Sequence, residues 1–212
     1  MSFQLIDYEN WKRKSHFEGI SQKDPSLINM TVSINITGLK KYLLERSMRL
    51  YPFLIACIST VINKFDEFKM AFDEHSNLGV YDIVHPSYTI FHKDDCTFSC
   101  IYTISQNDIN AFYNAVIRDM ELFGSLKGFE TRTAPQNSFP ISCIPWITYT
   151  GYSIIELKEK ITVAPYVIIG RYFCKNSEIQ LPVTMQVSHS IADGYHVCMF
   201  FQELQKLLNS LT

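Results

Sequence analysis

A histidine and an aspartate stand four residues apart near the C-terminus, in the segment from Val187 to Val197. An apolar run, 179–187, leads into this segment, and an amphipathic run, 195–208, follows it. A polar corner at the end of a strand is where α/β proteins commonly carry their chemistry. Histidine is the side chain best suited to act as a general base toward a hydroxyl group at neutral pH, which makes His189 the candidate here.

The same residues also have an interpretation without chemistry. Local backbone groups can satisfy a histidine at the end of a strand. Asp193 is of a residue type preferred at the N-cap of a helix, and Gly194 would begin that helix. The string H-x-x-x-D-G is short enough to occur by chance. The motif by itself therefore leaves both interpretations of His189 open.

Length, composition and charge limit the class of protein. The 212 residues, of which 47% are hydrophobic, can bury one large core, and we expect a single domain over residues 1–212. The net charge is -2 and there is no basic block, which excludes nucleic acid as the main partner. The first residues contain no signal-peptide pattern, and no uncharged stretch is long enough to span a bilayer. We therefore expect a cytoplasmic protein without a membrane partner.

The six cysteines mostly lie in apolar runs, such as Cys57 within 54–58, which favours free, buried structural thiols. Cys96 and Cys100 are close in sequence, but no second Cys or His pair stands at the spacing of a zinc site. We therefore expect no metal.

The hydrophobic pattern predicts strands and helices that do not alternate strictly, which indicates a mixed sheet with helices layered on it. The predicted helices are 39–48 with Thr37 as N-cap, 53–65, 108–123 and 194–208. The predicted strands are 30–36, 68–72, 79–84, 88–92, 97–103, 139–146, 164–173 and 179–187, the last two forming a hairpin. Residues 10–17 show neither helical nor strand periodicity, and we predict an ordered arm that crosses the body of the domain.

Five parts of the chain, taken together, resemble the chloramphenicol acetyltransferase family within the CoA-dependent acyltransferases. They are residues 10–17, 50–52, 88–92 with 97–99, 141–146 and 186–196. They occur in family order over nearly the whole chain, so their co-occurrence is far more specific than any one of them. The resemblance implies an α/β two-layer sandwich of mixed β-sheet with helices packed on it, assembled as a homotrimer with active sites between subunits. It favours the catalytic interpretation of His189.

The resemblance also implies roles for matching residues. His189 matches the base that removes the proton of an acceptor hydroxyl, whose oxygen then attacks the thioester of acetyl-CoA. Ser142 matches the hydroxyl that hydrogen-bonds the oxyanion of the intermediate, although its residue type alone indicates only an ordinary strand hydroxyl. Asp193 looks like a structural carboxylate that pairs with Arg13 of the N-terminal arm. His196, one turn into the last helix, is expected to pack rather than to act directly.

Substrate contacts follow from the same resemblance. Arg49 stands at the position of a basic residue that meets a phosphate of CoA, and Tyr172 at that of an aromatic beside the adenine. Trp146 is expected to line the pantetheine channel. Ile20 and Phe98 are expected to line the acceptor pocket. A surface arginine and two buried aromatic residues would also need no ligand to explain them.

Five residues at four places depart from the family pattern. Ser188 stands where members usually carry a second histidine before the catalytic one. Gly19 and Ile20 occupy the place where drug-acetylating members have an aromatic residue in the acceptor pocket. Pro140 and Ile168 replace an expected Asn and Thr. Each change removes a polar or aromatic group near the acceptor or the intermediate, so acetyl transfer is better supported than the identity of its acceptor.

The leading hypothesis is acetyl transfer from acetyl-CoA to a hydroxyl of chloramphenicol in a ternary complex, which inactivates the antibiotic. One alternative is the same transfer to a different small hydroxylated acceptor. Another is a non-catalytic, ligand-binding trimer. The acyltransferase core of 2-oxo acid dehydrogenase complexes shares a related corner, but 212 residues leave no room for the lipoyl and peripheral-subunit domains that normally accompany it.

Overall fold

The computed structural model describes residues 2–23, 25–129, 131–155 and 163–211. Within them, the helices are α1 (Lys14–Glu18), α2 (Thr37–Glu45), α3 (Leu50–Ile62), α4 (Ile109–Phe123) and α5 (Gly194–Ser210). The strands are β1 (Phe3–Leu5), β2 (Leu27–Asn35), β3 (Met70–Phe72), β4 (Leu78–Tyr81), β5 (His85–His92), β6 (Thr97–Tyr102), β7 (Ser138–Ile144), β8 (Tyr166–Gly170), β9 (Phe173–Lys175) and β10 (Glu178–Ser188). A π-helical turn, Gly19–Lys23, follows α1, and a 3-10 turn, Asp66–Lys69, precedes β3.

Seven strands form the main sheet, in the order β2-β10-β8-β7-β5-β6 with β9 paired to the start of β10. Strand β10 runs antiparallel to β2, β8 and β9, whereas β7 runs parallel to both β8 and β5. The sheet is therefore mixed, as predicted, and the predicted pairing of the 164–173 region with β10 is antiparallel. Strands β1, β4 and β3 form a second, three-stranded sheet.

The two faces of the main sheet have different environments. Helices α3, α4 and α5 pack on one face and share a continuous core with it. Because side chains alternate along a strand, β10 directs one set into this core and the other set to the opposite face. The core set is Leu181, Val183, Met185 and Val187. The opposite face, called the outer face below, carries Thr184 and three exposed aromatic residues: Phe91, Phe98 and Trp146. One layer of sheet and one of helices confirm the predicted two-layer fold.

Helix α2 differs from its prediction at its start. Thr37 is the first helical residue, and Ile36 is the N-cap, so the prediction of Thr37 as the cap is wrong. The Thr37 hydroxyl donates to Oδ1 of Asn35 at 2.7 Å and accepts from the backbone N–H of Ile179 at 2.8 Å. The hydroxyl therefore links the helix to the local Asn35 side chain and to β10, and these partners replace the capping bond.

The N-terminal arm is more regular than its sequence indicated, since α1 begins within residues 10–17 and ends at Glu18. The rings of Trp11 and Phe17 pack with centroids 5.6 Å apart, and Tyr8 meets Phe17 edge-on at 6.2 Å. A helix of five residues is too short to show a hydrophobic period. Aromatic packing therefore orders the arm where local propensity does not.

The cysteine prediction is correct only in part. Cys57 is fully buried, and burial raises the pKa of its thiol, whereas Cys96, Cys174 and Cys198 are exposed. Apolar neighbours in sequence do not determine burial when a residue falls on the outward side of a strand or helix. Among the described residues, no helix is long and apolar enough to cross a bilayer, and no three His, Cys, Asp or Glu side chains are grouped so that they could hold a metal ion.

Candidate active site

The turn 189–193 joins the end of β10 to the start of α5, and its backbone is held on two sides. On one side, the N–H of His189 donates to the carbonyl of Ser26, just before β2, at 3.0 Å. On the other, Ile191 and Ala192 are completely buried in the core. Asp193 is the N-cap residue of α5. The apolar residues within this polar motif therefore fix the position from which His189 projects.

Arg13 reaches this turn from the N-terminal arm and binds three of its residues. The guanidinium donates to both carboxylate oxygens of Asp193, at 2.5 and 2.7 Å. It also donates to the carbonyl of Ser190 at 3.0 Å and to that of His189 at 2.9 Å. The hydrogen bonds from Arg13 lower the pKa of the Asp193 carboxyl, so it stays ionised. The structure thus brings Arg13 and Asp193 together as a bidentate pair, with an arginine side chain only 13% exposed.

The contacts of the His189 ring determine which nitrogen can act as a base. Nδ1 lies 3.2 Å from the carbonyl oxygen of Ala192 and 3.4 Å from Oδ1 of Asp193. Both partners are acceptors, so the neutral ring carries its proton on Nδ1 and leaves a lone pair on Nε2. The Asp193 oxygen is already bound more closely by Arg13, which makes this carboxylate an anchor of the corner rather than a proton relay.

Ser142 lies on β7 and projects from the outer face of the main sheet. Strand register places Ile168 of β8 opposite Ser142, and Thr184 of β10 opposite Ile168. On its other side, the Ser142 hydroxyl is 3.5 Å from that of Thr89 on β5, at the long limit of a hydrogen bond. Thr184 is 2.7 Å from the hydroxyl of Thr31 on β2. A row of hydroxyl groups therefore crosses the outer face, interrupted only at Ile168.

One chain does not bring His189 and Ser142 together. Thr184 shares the register row of Ser142, and β10 continues from Thr184 to Ser188 before His189 follows. That length of strand spans about 13 Å, and the two strand spacings from β10 to β7 add about 10 Å in the perpendicular direction. The end of β10 and Ser142 are therefore about 16 Å apart. A base must lie about 3 Å from the attacking hydroxyl, and an oxyanion donor about 3 Å from the carbonyl oxygen. Because both oxygens are bonded to the same carbon in the intermediate, the two side chains must lie close together.

Arg49 and Tyr172 lie beside a groove between α2 and the start of α3. The groove has a volume of about 430 Å³ and is lined by Lys40 and Lys41 of α2 among others. Arg49 is exposed at the N-cap of α3, next to the groove-lining residue Leu50. Tyr172 is 42% exposed, with the ammonium of Lys40 4.7 Å from its ring centroid. Several cations and a flat ring are thus grouped in a way that suits phosphates and a nucleobase.

Trp146 lies just after β7 and is connected to the segment that carries Tyr172. Its ring is 56% exposed and meets Phe91 nearly edge-on, with centroids 4.6 Å apart. The backbone N–H of Arg171 donates to the carbonyl of Ile147 at 3.1 Å, which ties the two segments together. The segments that carry Trp146 and Tyr172 are therefore joined at this point.

Ile20 and Phe98 are far apart within one chain. Ile20 is half-buried in the π-helical turn after α1, shortly before β2. Phe98 is on β6, at the other edge of the main sheet, where its 46% exposed ring packs edge-on against Phe129 at 5.8 Å. These two residues, predicted to line one acceptor pocket, therefore share no site in one chain.

Four residues near these groups were not assigned a site role from the sequence: Thr89, Lys40, Glu67 and His196. His196 was expected to pack, but its Nδ1 accepts the backbone N–H of Asp193 at 2.9 Å, and its Nε2 is 3.4 Å from a carboxylate oxygen of Glu67. The signal for His196 was its place three residues after an N-cap, from which a side chain can reach back to the cap. No sequence pattern indicates a site at Thr89 or Lys40, because strand register and a contact between helix and loop bring them to the site.

Known proteins of one family match this chain over nearly its whole length. A family model described as chloramphenicol acetyltransferase matches residues 1–205. A chloramphenicol acetyltransferase from Clostridium perfringens is 37% identical, covering 99% of this chain and 96% of the relative. One from Campylobacter coli is also 37% identical, covering 99% of this chain and 100% of the relative.

Two solved structures share the fold. A chloramphenicol acetyltransferase has a TM-score of 0.86 at 18% identity, covering 98% of this chain and 100% of that chain. Dihydrolipoamide acetyltransferase from Azotobacter vinelandii has a TM-score of 0.67 at 14% identity, covering 92% of this chain and 85% of that chain. At these identities the likeness concerns the fold alone.

Proposed function

The chain belongs to the chloramphenicol acetyltransferase family, an acyltransferase family, and from that premise we propose that it transfers the acetyl group of acetyl-CoA to a hydroxyl of chloramphenicol. The observation that carries the proposal is the orientation of the His189 ring. Its Nδ1 faces a carbonyl and a carboxylate, and its Nε2 lone pair is left for a substrate proton. This is what direct transfer by general base catalysis requires.

The reaction proceeds in a ternary complex without an acyl-enzyme. Nε2 of His189 takes the proton of the acceptor hydroxyl while its oxygen forms a bond to the thioester carbonyl carbon. The carbonyl electron pair moves onto its oxygen, which accepts a hydrogen bond from Ser142. Collapse of this intermediate breaks the carbon–sulfur bond, and the departing CoA thiolate takes the proton back from the imidazolium. The nearby Asp193 carboxylate stabilises that imidazolium while it exists.

We further propose a homotrimer in which each active site lies between two subunits. The separation of about 16 Å between the end of β10 and Ser142 supports this, because a single chain cannot place both groups on one carbonyl. In the trimer, His189 of one subunit faces the outer face of its neighbour, which supplies Ser142. Ile20 and Phe98, which are apart in one chain, approach one acceptor pocket in the same way.

Acetyl-CoA is the proposed co-substrate. Arg49 binds a phosphate of CoA, Tyr172 lies beside the adenine, and Trp146 lines the path of the pantetheine arm. The grouping of Lys40 and Lys41 with Arg49 beside the same groove supports an anionic ligand there. The exposed ring of Trp146, on a segment tied to that of Tyr172, supports a path from the groove toward Ser142.

Release of free CoA thiol from acetyl-CoA in the presence of chloramphenicol tests the activity. The wild type is expected to turn over, and His189→Ala is expected to be inactive. His75→Ala is the matched control, since His75 is a 75% exposed histidine outside the site, and it should behave as the wild type. A wild type no faster than His189→Ala would refute the proposal.

Two other outcomes would identify a different function. Slow hydrolysis of acetyl-CoA together with poor transfer to chloramphenicol would point to another small hydroxylated acceptor, an outcome that the aliphatic Ile20 makes worth testing. A ligand recovered unmodified from a protein with no affinity for CoA would point to a non-catalytic binding trimer.

Mixed trimers test the site between subunits. His189→Ala and Ser142→Ala chains, each nearly inactive alone, are denatured and refolded together in equal amounts. If each site takes His189 and Ser142 from different chains, every mixed trimer regains one complete site, so about a quarter of wild-type sites return. If both residues served from the same chain, mixing would restore nothing.

A further inference from the structure

A second imidazole, that of His196, lies beside Asp193 in a groove that His189 does not line. His196 lines a groove of about 690 Å³ together with Trp11, Arg13, Glu67 and Asp193. The His196 side chain is 20% exposed and that of Glu67 is 29% exposed. The groove therefore places His196 between the 3-10 turn that carries Glu67 and the residue that anchors the corner.

The hydrogen bonds of His196 determine its protonation pattern. Nδ1 is 2.9 Å from the backbone nitrogen of Asp193, which is a donor, so Nδ1 must carry a lone pair. The ring proton is then on Nε2, which faces the Glu67 carboxylate at 3.4 Å. The tautomer is the opposite of that in His189, where Nδ1 faces acceptors. A proton on Nδ1 of His196 would set two donors against each other at Asp193.

We propose that His196 and Glu67 are positioning residues for the general base, an inference that rests on the proposed function. Glu67 holds the proton of His196 on Nε2, so that Nδ1 remains an acceptor for the N–H of Asp193. That bond fixes the backbone of Asp193, while its carboxylate is fixed by Arg13. Since His189 Nδ1 bonds to the neighbouring carbonyl of Ala192, a shift of this backbone turns the His189 ring.

Two substitutions of His196 separate its role as a hydrogen-bond acceptor from the space that its side chain fills. In His196→Asn the side-chain oxygen stands near the place of Nδ1 and can accept the same N–H, whereas His196→Leu fills space without an acceptor. In His196→Leu, kcat should fall about 10- to 100-fold with KM for acetyl-CoA within about two-fold of wild type. His196→Asn should keep kcat within about five-fold of wild type. Glu67→Ala should lie between them, and Glu67→Gln, which retains an acceptor for Nε2–H, should stay near wild type.

A salt bridge elsewhere on α5 supplies the control. Glu203 pairs with Lys64 at 2.7 Å, and Glu203→Ala should leave kcat unchanged. Thermal unfolding of every variant shows that each is folded at the assay temperature. The proposal is overturned if folded His196→Leu has wild-type kcat, or if His196→Asn loses as much kcat as His196→Leu.

Nitrogen-15 NMR of histidine-labelled protein tests the contact without any acceptor substrate. The His196 signals, identified by their absence in His196→Asn, should show a protonated Nε2 and an unprotonated Nδ1. Glu67→Ala should weaken this preference. A protonated Nδ1 in the wild type would overturn the inference whether or not the protein acts on chloramphenicol. A wild type without turnover but with the expected tautomer would instead refute the proposed function alone.

Discussion

Replacing Arg13 by alanine should disable the catalytic corner from a distance. The guanidinium makes four hydrogen bonds to the turn that carries His189, two of them to Asp193 and two to backbone carbonyls. Without it, the Asp193 carboxylate loses its counter-charge, and the carbonyls of His189 and Ser190 lose a donor. The loss should therefore affect both the stability of the fold and the orientation of the His189 ring.

The geometry sets the expected size of both effects. Removing one partner of a buried ion pair costs about 3–5 kcal/mol. The Asp193 side chain is 38% exposed, so water can partly replace the arginine and the lower end applies, about 3 kcal/mol. For a domain of this length, that loss lowers Tm by roughly 6–12 °C. A ring displaced by about 1 Å lowers kcat by about 100-fold.

Thermal unfolding and the CoA-thiol assay measure the two effects in the same preparations. Lys14→Ala is the matched control, because Lys14 is the next residue and forms an ion pair with Glu9, whose side chain is 81% exposed. It should leave both stability and kcat nearly unaltered, because an exposed ion pair contributes little. Arg13→Lys keeps the charge but not the fork of donors, so it should recover part of the stability and little of kcat.

Two results would contradict this reasoning. A folded Arg13→Ala with wild-type kcat would mean that the arginine does not orient His189. An Arg13→Lys variant as active as the wild type would mean that positive charge suffices and that the hydrogen bonds to the two carbonyls are unimportant.

Three further predictions concern the oxyanion donor, the acceptor and acid stability. Ser142→Ala should lower kcat by about 100- to 1,000-fold with little change in either KM, while Ser142→Thr, which keeps the hydroxyl, should lose less; equal losses would refute the oxyanion role. Ile20→Phe should lower KM for chloramphenicol about five-fold through ring contacts, and an unchanged KM would place Ile20 outside the pocket. Because Arg13 lowers the pKa of Asp193, the stabilisation is present above its ordinary value of 3.8 and is lost as pH falls through the folded pKa. Denaturant unfolding of wild type and Asp193→Asn should therefore differ at pH 7, and the difference should shrink as pH falls below 3.8; a constant difference would refute the linkage.

Most of the elements could be predicted from hydrophobic periodicity. Helix α4 was predicted over 108–123 and spans Ile109–Phe123, because Asp108 is its N-cap and its side chain accepts the N–H of Ala111 at 2.7 Å. The errors fall where periodicity carries little information, as at Thr37, whose hydroxyl bonds to Asn35 and to β10 instead of capping α2, and in the five residues of α1. Burial of individual cysteines, such as exposed Cys198, could not be predicted, because one residue in an apolar run can face outward.

The sequence by itself determined the catalytic candidate: a histidine after an apolar strand and before a capped helix, in a chain whose spaced motifs define its family. These features are local, since strand and helix periods and cap residues act within a few positions. Tertiary structure alone decided the remaining geometry. It placed Arg13 on a carboxylate 180 residues away, oriented two imidazoles in opposite tautomers, and put Ser142 on a distant strand of the same sheet. Such contacts depend on strand order, register and packing of the whole chain, which no short segment encodes.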